Sequence, residues 1–339
     1  MKALVYAGPN KVEVRDVPEP KAQEGAVKVK MLYCGLCGSD IGIYSGKHPR
    51  AQAPLILGHE FVGIVDEAPA GSKFEKGDRV TAYPLISCGE CYPCKNGTPH
   101  VCQTLHLLGI DVDGAMADHC WVDENVLVKV PDGVSDKLAA LAEPLAVVVR
   151  TLHQANFKTL DRCVVMGAGP IGILTAILLK HSGASQIIIS DIDEGRLALC
   201  REFGFDAVNV RDSNLVDHVN AATGNVGADI VFECSGVESA ALEVTKLTRV
   251  GGMICMTGVH KAPHAVNLMD LNFKEQTMVG SRVYTMREFA DSVPLLANMA
   301  EDLEKVISQV IPLSESDKIF DMVADPSLRT IKILVDCQA

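Results

Sequence analysis

Cys163-Val164-Val165-Met166-Gly167-Ala168-Gly169-Pro170-Ile171-Gly172 is the stretch that decides the fold. An apolar run enters a Gly-x-Gly-x-x-Gly turn, a helix-like stretch over 173–181 follows, and Gly183 stops it. A second apolar run over 187–190 completes a strand, glycine turn, helix and strand, which is a βαβ unit. The glycines have separate tasks at such a turn. Gly167 permits the tight bend, Gly169 lets backbone approach a pyrophosphate, and Gly172 allows helix and strand to touch. Pro170 and Ile171 stand between these glycines, and the N-terminus of the helix that follows offers free N–H groups and a partial positive charge to phosphate. Asp191, 19 residues past Gly172, is placed to accept from the adenosine ribose hydroxyls and to repel a 2′-phosphate, which favours NAD over NADP. Arg196 is the nearby side chain that would serve such a phosphate. Apolar runs at 230–234 and 253–257, each closed by glycines, extend the pattern into a doubly wound α/β domain.

A second signal lies upstream. Cys88, Cys91, Cys94 and Cys102 fall in one short window, with Gly89, Pro93, Gly97 and Pro99 supplying tight bends. Four thiolates at that spacing converge on one tetrahedral ion, and zinc suits a closed all-thiolate shell. Such a site has no open position, so it holds structure and leaves catalysis to other residues.

Short β segments at 12–14, 26–33, 61–67 and 79–82, punctuated by Gly and Pro, make the first part a barrel-like, mostly β domain. The tail combines a helix-like stretch over 286–299 with a closing strand over 331–335. The 339 residues argue for two domains, and 48% hydrophobic residues supply two cores. A formal charge of −12 argues against nucleic acid or an anionic membrane as partner. No run approaches the roughly 18 apolar residues of a membrane span. The N-terminal apolar run is too brief for a signal peptide. With twelve cysteines, the expectation is a reducing compartment, by default the cytoplasm. The remaining thiols, Cys34, Cys120, Cys163, Cys200, Cys234, Cys255 and Cys337, read as core or surface groups.

Two further segments carry metal-ligand residue types, Gly35-Leu36-Cys37-Gly38-Ser39-Asp40 and Gly58-His59-Glu60. Together with the four-Cys lobe, Glu143-Pro144-Leu145 and the nucleotide turn, in that order, they make the chain resemble the zinc-dependent medium-chain dehydrogenases/reductases. Within that family it is similar to the polyol branch typified by sorbitol dehydrogenases, from the N-terminus to the C-terminus. The resemblance implies an α/β architecture: a GroES-like β-barrel catalytic domain over 1–144 carrying the structural zinc lobe (88–102), a Rossmann NAD-binding domain over 145–280, and a C-terminal segment, 281–339, completing the catalytic domain. It implies a catalytic zinc on Cys37, His59 and an acid, either Glu143 or Glu60, so that the chain binds two zinc ions. Asp40 would orient a ligand and Ser39 would take the substrate proton. Gly42 stands where the family has a His that passes this proton on, which leaves water or His48 as acceptor.

Lys47, His48 and Arg50 form a basic cluster, read as a solvated loop, with an acidic or phosphorylated sugar as its alternative target. Arg282, with Tyr284 nearby, falls where polyol dehydrogenases touch cofactor and substrate. Tyr44 and Phe61 are pocket or packing aromatics, and His106, Ile110 and Asp111 are candidates for shaping specificity. The implied activity is a zinc-dependent NAD oxidoreductase interconverting a secondary alcohol of a polyol, sugar alcohol or sugar acid with its ketone. The alternatives are an NADP-dependent or simple-alcohol dehydrogenase and, from another class, a non-catalytic zinc-binding protein. The expected partners are a small-molecule substrate and further copies of the chain, as homodimer or homotetramer, with no nucleic acid and no membrane.

Overall fold

In the computed structural model, the strand that enters the glycine turn, Arg162–Met166 (β1), sits inside a six-stranded parallel sheet. The structure describes Met1–Ala339, the side chain of Pro326 excepted. The other strands are Gln186–Asp191 (β2), Asp206–Asn209 (β3), Ala228–Glu233 (β4), Thr248–Met256 (β5) and Thr277–Gly280 (β6), in the order β3-β2-β1-β4-β5-β6. The order reverses between β1 and β4, and open α/β sheets bind ligands outside the strand C-termini at such a point. Val164, Ile188, Val231 and Ile254 from the sheet pack with Val219, Val244 and Leu247 from the helices Leu215–Thr223 and Glu238–Leu247. Helices on the faces of a parallel sheet explain why its strands read as continuous apolar runs.

The chain divides into two compact units, Val147–Val283 around this sheet, and Met1–Ala146 with Tyr284–Ala339. The second is built on a seven-stranded sheet. Along it lie Leu127–Lys129, Arg79–Ala82, Glu60–Glu67, Ala26–Gly35, Lys332–Asp336 and Ile307–Pro312, while His119–Asp123 also pairs with Ala26–Gly35. Lys332–Asp336 pairs antiparallel with Ala26–Gly35, matching Leu334 with Gly35 and Val335 with Cys34. Smaller sheets join Lys2–Gly8 to Lys11–Asp16 and Leu55–Ile56, and Leu85–Ile86 to His106–Leu107. All twelve cysteines are free thiols. Among the described residues, no helix is long and apolar enough to cross a membrane.

The N-terminal edge of the parallel sheet is fastened by charge. Asp229, at the start of β4, accepts from Arg162 of β1 through backbone N–H at 2.9 Å and Nε at 2.8 Å, and from Arg249 Nε of β5 at 2.6 Å. Burial opposes the charged carboxylate, but the hydrogen bonds from Arg162 and Arg249 win and hold its pKa well below the usual range. A depressed folded-state pKa stabilises the fold above the unfolded value near 3.9 and is lost as pH falls through the folded value. Asp229→Ala is therefore expected to lower stability by about 2 kcal/mol near pH 7. Denaturant unfolding should show the deficit shrinking as the pH is taken below about 4.

Candidate active site

Strand register brings the first cluster together. Gly35 is paired with Glu60, so Cys37, two residues beyond one strand, meets His59, one residue before the other. The Glu60 carboxylate lies against Gly35, where a Cβ would come within 2.2 Å of Oε2 and displace it. Ligand atoms of Cys37, His59 and Glu60 all lie within 4.8 Å of one another. His59 is buried, and its Nδ1 has no hydrogen-bond partner among the described residues. Two nitrogen and sulfur donors beside a carboxylate, with a buried imidazole nitrogen to spare, fit a divalent zinc ion.

The surroundings of this cluster are fixed by hydrogen bonds. Asp40 is fully buried, and its Oδ2 accepts from Cys37 N–H at 2.9 Å, so it orients the Cys37 backbone rather than the imidazole. Ser39 Oγ lies 3.5 Å from His59 Nε2. Burial opposes a charged His59, yet the Cys37 sulfur, Asp40 and Glu143 hold its pKa well above the ordinary value. Glu143, in the first turn of the helix Ala142–Gln154, is buried, and its Oε1 accepts from Tyr284 Oη at 2.6 Å. Burial drives its pKa up to about 7; His59 pulls it down and Glu60 pushes it up.

Lys332 is a member of the site that sequence reasoning missed. Its ammonium is buried and donates to Glu60 Oε2 at 2.7 Å, Glu60 Oε1 at 2.9 Å and the Leu36 carbonyl at 3.1 Å. Burial lowers its pKa, but Glu60 outweighs this and the net shift is upward. A lysine flanked by Ile331, Ile333, Leu334 and Val335 was the available signal, since a charge inside an apolar strand needs a partner.

Several other candidates lie in packing contacts, in loop hydrogen bonds or on the surface. Tyr44 stacks on Phe320 with ring centroids 4.2 Å apart, and Phe61 is 1% exposed, so both pack. Arg50 bonds the Leu105 carbonyl and lies 3.4 Å from Asp111, which itself accepts from Leu107 N–H at 2.9 Å. Those bonds hold the loops together. His48 N–H donates to the Gly42 carbonyl at 3.0 Å, and His48 Nδ1 accepts from Arg50 and Ala51 N–H at 3.4 and 3.3 Å. Burial and then Arg50 lower its pKa. Arg282 and His106 are exposed.

In the four-Cys lobe the sulfurs stand at 3.4 Å (Cys91–Cys94), 3.5 Å (Cys88–Cys102), 3.7 Å (Cys91–Cys102) and 4.0 Å (Cys88–Cys94). Four sulfurs at about 2.3 Å from a tetrahedral centre lie about 3.8 Å apart. The arrangement fits zinc. Backbone N–H groups of Glu90 and Cys91 favour the thiolate of Cys88 and bring its pKa down to about 6.

The nucleotide turn is equally legible. Gly167 has φ +102°, and a Cβ on Gly172 would fall 1.8 Å from the Gly167 carbonyl oxygen. A Cβ on Gly169 would meet nothing within 4 Å, so the turn faces open space at the start of the helix Pro170–His181 (α1). The N-cap of α1 has no side-chain hydrogen bond, which leaves its N–H groups for an anion. Asp191 Oδ2 accepts from Ala168 N–H at 2.7 Å, and Oδ1 from Ile192 and Asp193 N–H at 2.7 and 2.9 Å. A carboxylate has about four acceptor sites, so Asp191 both braces the turn and retains capacity for a hydroxyl. Arg196 Nη1 is 4.0 Å from Asp191.

Residues 23–132 match the family of the alcohol dehydrogenase GroES-like domain, and residues 170–298 that of the zinc-binding dehydrogenases. The chain belongs to the zinc-type medium-chain dehydrogenases/reductases. It is 35% identical to a 2-dehydro-3-deoxy-L-galactonate 5-dehydrogenase of Pseudoalteromonas atlantica, over 100% of this chain and 99% of that one. It is 34% identical to a sorbitol dehydrogenase of Halalkalibacterium halodurans, over 99% of both. A solved zinc-binding dehydrogenase of Sinorhizobium meliloti, bound to NADP, superposes with a TM-score of 0.92 at 29% identity, over 99% of this chain and 98% of that one. The chain is thus an oxidoreductase, with GroES-like and Rossmann-type domains, of a family that uses zinc and a nicotinamide cofactor.

Removing Lys332 would strand a buried carboxylate. Lys332→Ala is expected to lower stability by about 3–5 kcal/mol, as breaking a buried ion pair does. Lys332→Ala/Glu60→Gln, measured by denaturant unfolding, should recover part of that loss.

Proposed function

We propose that this chain interconverts a secondary alcohol of a polyol, sugar alcohol or sugar acid with its ketone, using NAD as hydride carrier. The observation that carries the reading is the convergence of Cys37, His59 and buried carboxylates in one unit of a chain whose other unit holds the dinucleotide turn. Support for the substrate class comes from the activities named for the two relatives, both on polyhydroxylated compounds.

A zinc ion held by Cys37, His59 and one acid would supply Lewis acidity toward the substrate hydroxyl. Two observations pull apart on which acid that is. Glu60 is the carboxylate within 4.8 Å of Cys37 and His59. Both its oxygens, however, are taken by Lys332, and an ion on Glu60 would sit against that ammonium. Glu143 keeps one oxygen free, and Tyr284 Oη steadies the other, the usual arrangement around a ligating carboxylate. Glu143 is therefore the direct ligand in this reading, and Glu60 a charge held in reserve. Ser39 takes the substrate proton. Water is the acceptor that stands in for the missing His at Gly42, because His48 Nδ1 is engaged by two backbone N–H groups, which puts the ring proton on Nε2 and leaves no lone pair free.

The second zinc is structural and sits on Cys88, Cys91, Cys94 and Cys102. We place the protein in the cytoplasm, as a homodimer or homotetramer. Exposed Leu268, Met269 and Phe273, on the helix Leu268–Phe273 just ahead of edge strand β6, support a subunit contact there.

Zinc should measure two per chain by elemental analysis. Glu143→Ala should fall to one while Glu60→Ala keeps two, and the reverse outcome would assign Glu60 as the ligand. For the cofactor, initial rates should favour NAD⁺ over NADP⁺. Asp191→Ala should cut that preference by about tenfold or more, since it removes a like charge from the 2′-phosphate. An unchanged preference would mean that Asp191 only braces the turn.

A further inference from the structure

Glu233, at the C-terminal end of β4, is fully buried, and every bond its carboxylate makes goes to the loop after β4 or the loop after β5. Its Oε1 accepts from Ser235 N–H at 2.8 Å, Gly236 N–H at 2.9 Å and the Ser235 hydroxyl. Its Oε2 accepts from His260 Nε2 at 3.0 Å, and its backbone carbonyl takes N–H bonds from Thr257 and Gly258 at 2.8 and 2.7 Å. Glycines let these segments interlock. A Cβ on Gly258 would lie 2.5 Å from Glu233 Oε2, one on Gly236 2.8 Å from the Val259 carbonyl, and one on Gly167 3.1 Å from Ser235. The nucleotide turn, the loop after β4 and the loop after β5 are therefore one packed block at the point where the strand order reverses.

His260 is the unexplained member of this block. With Nε2 donating to the carboxylate, Nδ1 is the acceptor nitrogen in the single-proton form of the ring. Nδ1 is buried and has no hydrogen-bond partner among the described residues. A buried, unpaired ring nitrogen calls for a partner. The position says which. Asp191 at the end of β2 lies on the adenosine side and the N-terminus of α1 takes the phosphates, so the rest of an extended dinucleotide runs toward the ends of β4 and β5.

We infer that Glu233 and His260 form a cofactor-positioning pair. Glu233 sets the two loops, and His260 Nδ1 accepts from a ribose hydroxyl or the carboxamide N–H of the nicotinamide riboside. The inference rests on the dinucleotide reading given above.

The test is binding, without substrate, of NADH, NADPH and ADP to the zinc-loaded wild type, His260→Ala and His260→Gln. Glutamine preserves an N–H donor toward Glu233 and covers the case in which the alanine variant fails to fold. Both variants should bind the preferred reduced dinucleotide about tenfold more weakly, the loss of one hydrogen bond. Both should bind ADP, which lacks the nicotinamide riboside, within about twofold of wild type. Unchanged binding of the reduced dinucleotide, or equal losses for dinucleotide and ADP, would overturn the pair's role and leave a structural brace. A wild type that binds neither dinucleotide would overturn the cofactor reading itself, and this inference with it.

Discussion

The antiparallel contact between Gly35 and Glu60 is the constraint on which the site depends. The missing Cβ at position 35 leaves room for the Glu60 carboxylate, and the ends of both strands carry ligand-type residues to one place. Lys332 enters from the next strand in the same sheet, two residues ahead of the Leu334–Gly35 pairing. Three strands far apart in sequence thus deliver a thiol, an imidazole, a carboxylate and an ammonium to one buried volume. A buried charge is tolerable only when matched: Lys332 matches Glu60, whereas Glu143 has only the Tyr284 hydroxyl and Asp40 only the Cys37 N–H, and burial raises the pKa of both.

The parallel sheet divides two acids, half-buried Asp229 and buried Glu233, in the same way. Asp229 and Glu233 bracket β4. Asp229 ties strands together through two arginines at the edge away from any ligand, which is a stability device. Glu233 ties loops together at the edge where ligands bind, which is a positioning device. The same residue chemistry serves opposite ends because strand direction decides which end faces the cofactor.

Much of this was legible in the sequence because the chemistry is local. The nucleotide turn needs glycines at fixed spacing in one short stretch, and the four-Cys lobe closes within fifteen residues, so both announce themselves. The strand that the sequence marks over 26–33 runs on through Cys34 and Gly35, which carry no alternation, yet Gly35 makes the contact that matters. Lys332, Tyr284 and His260 were weak signals or none. Each acquires its meaning from a partner distant along the chain (Glu60, Glu143 and Glu233), and pairing at that range is set by the tertiary fold rather than by neighbouring residues. Tyr44 and Phe61 show the converse, since aromatics beside a candidate site looked available for a pocket but were needed for packing.

The account stands on a second metal, held away from the four-Cys lobe by Cys37, His59 and a carboxylate. Anomalous diffraction at the zinc edge, from crystals of the protein grown with zinc, addresses it most directly. The account predicts two peaks per chain, the second bounded by the Cys37 sulfur and the His59 ring. A single peak within the four-Cys lobe, with Cys37 and His59 in direct contact and no scatterer between them, would contradict it.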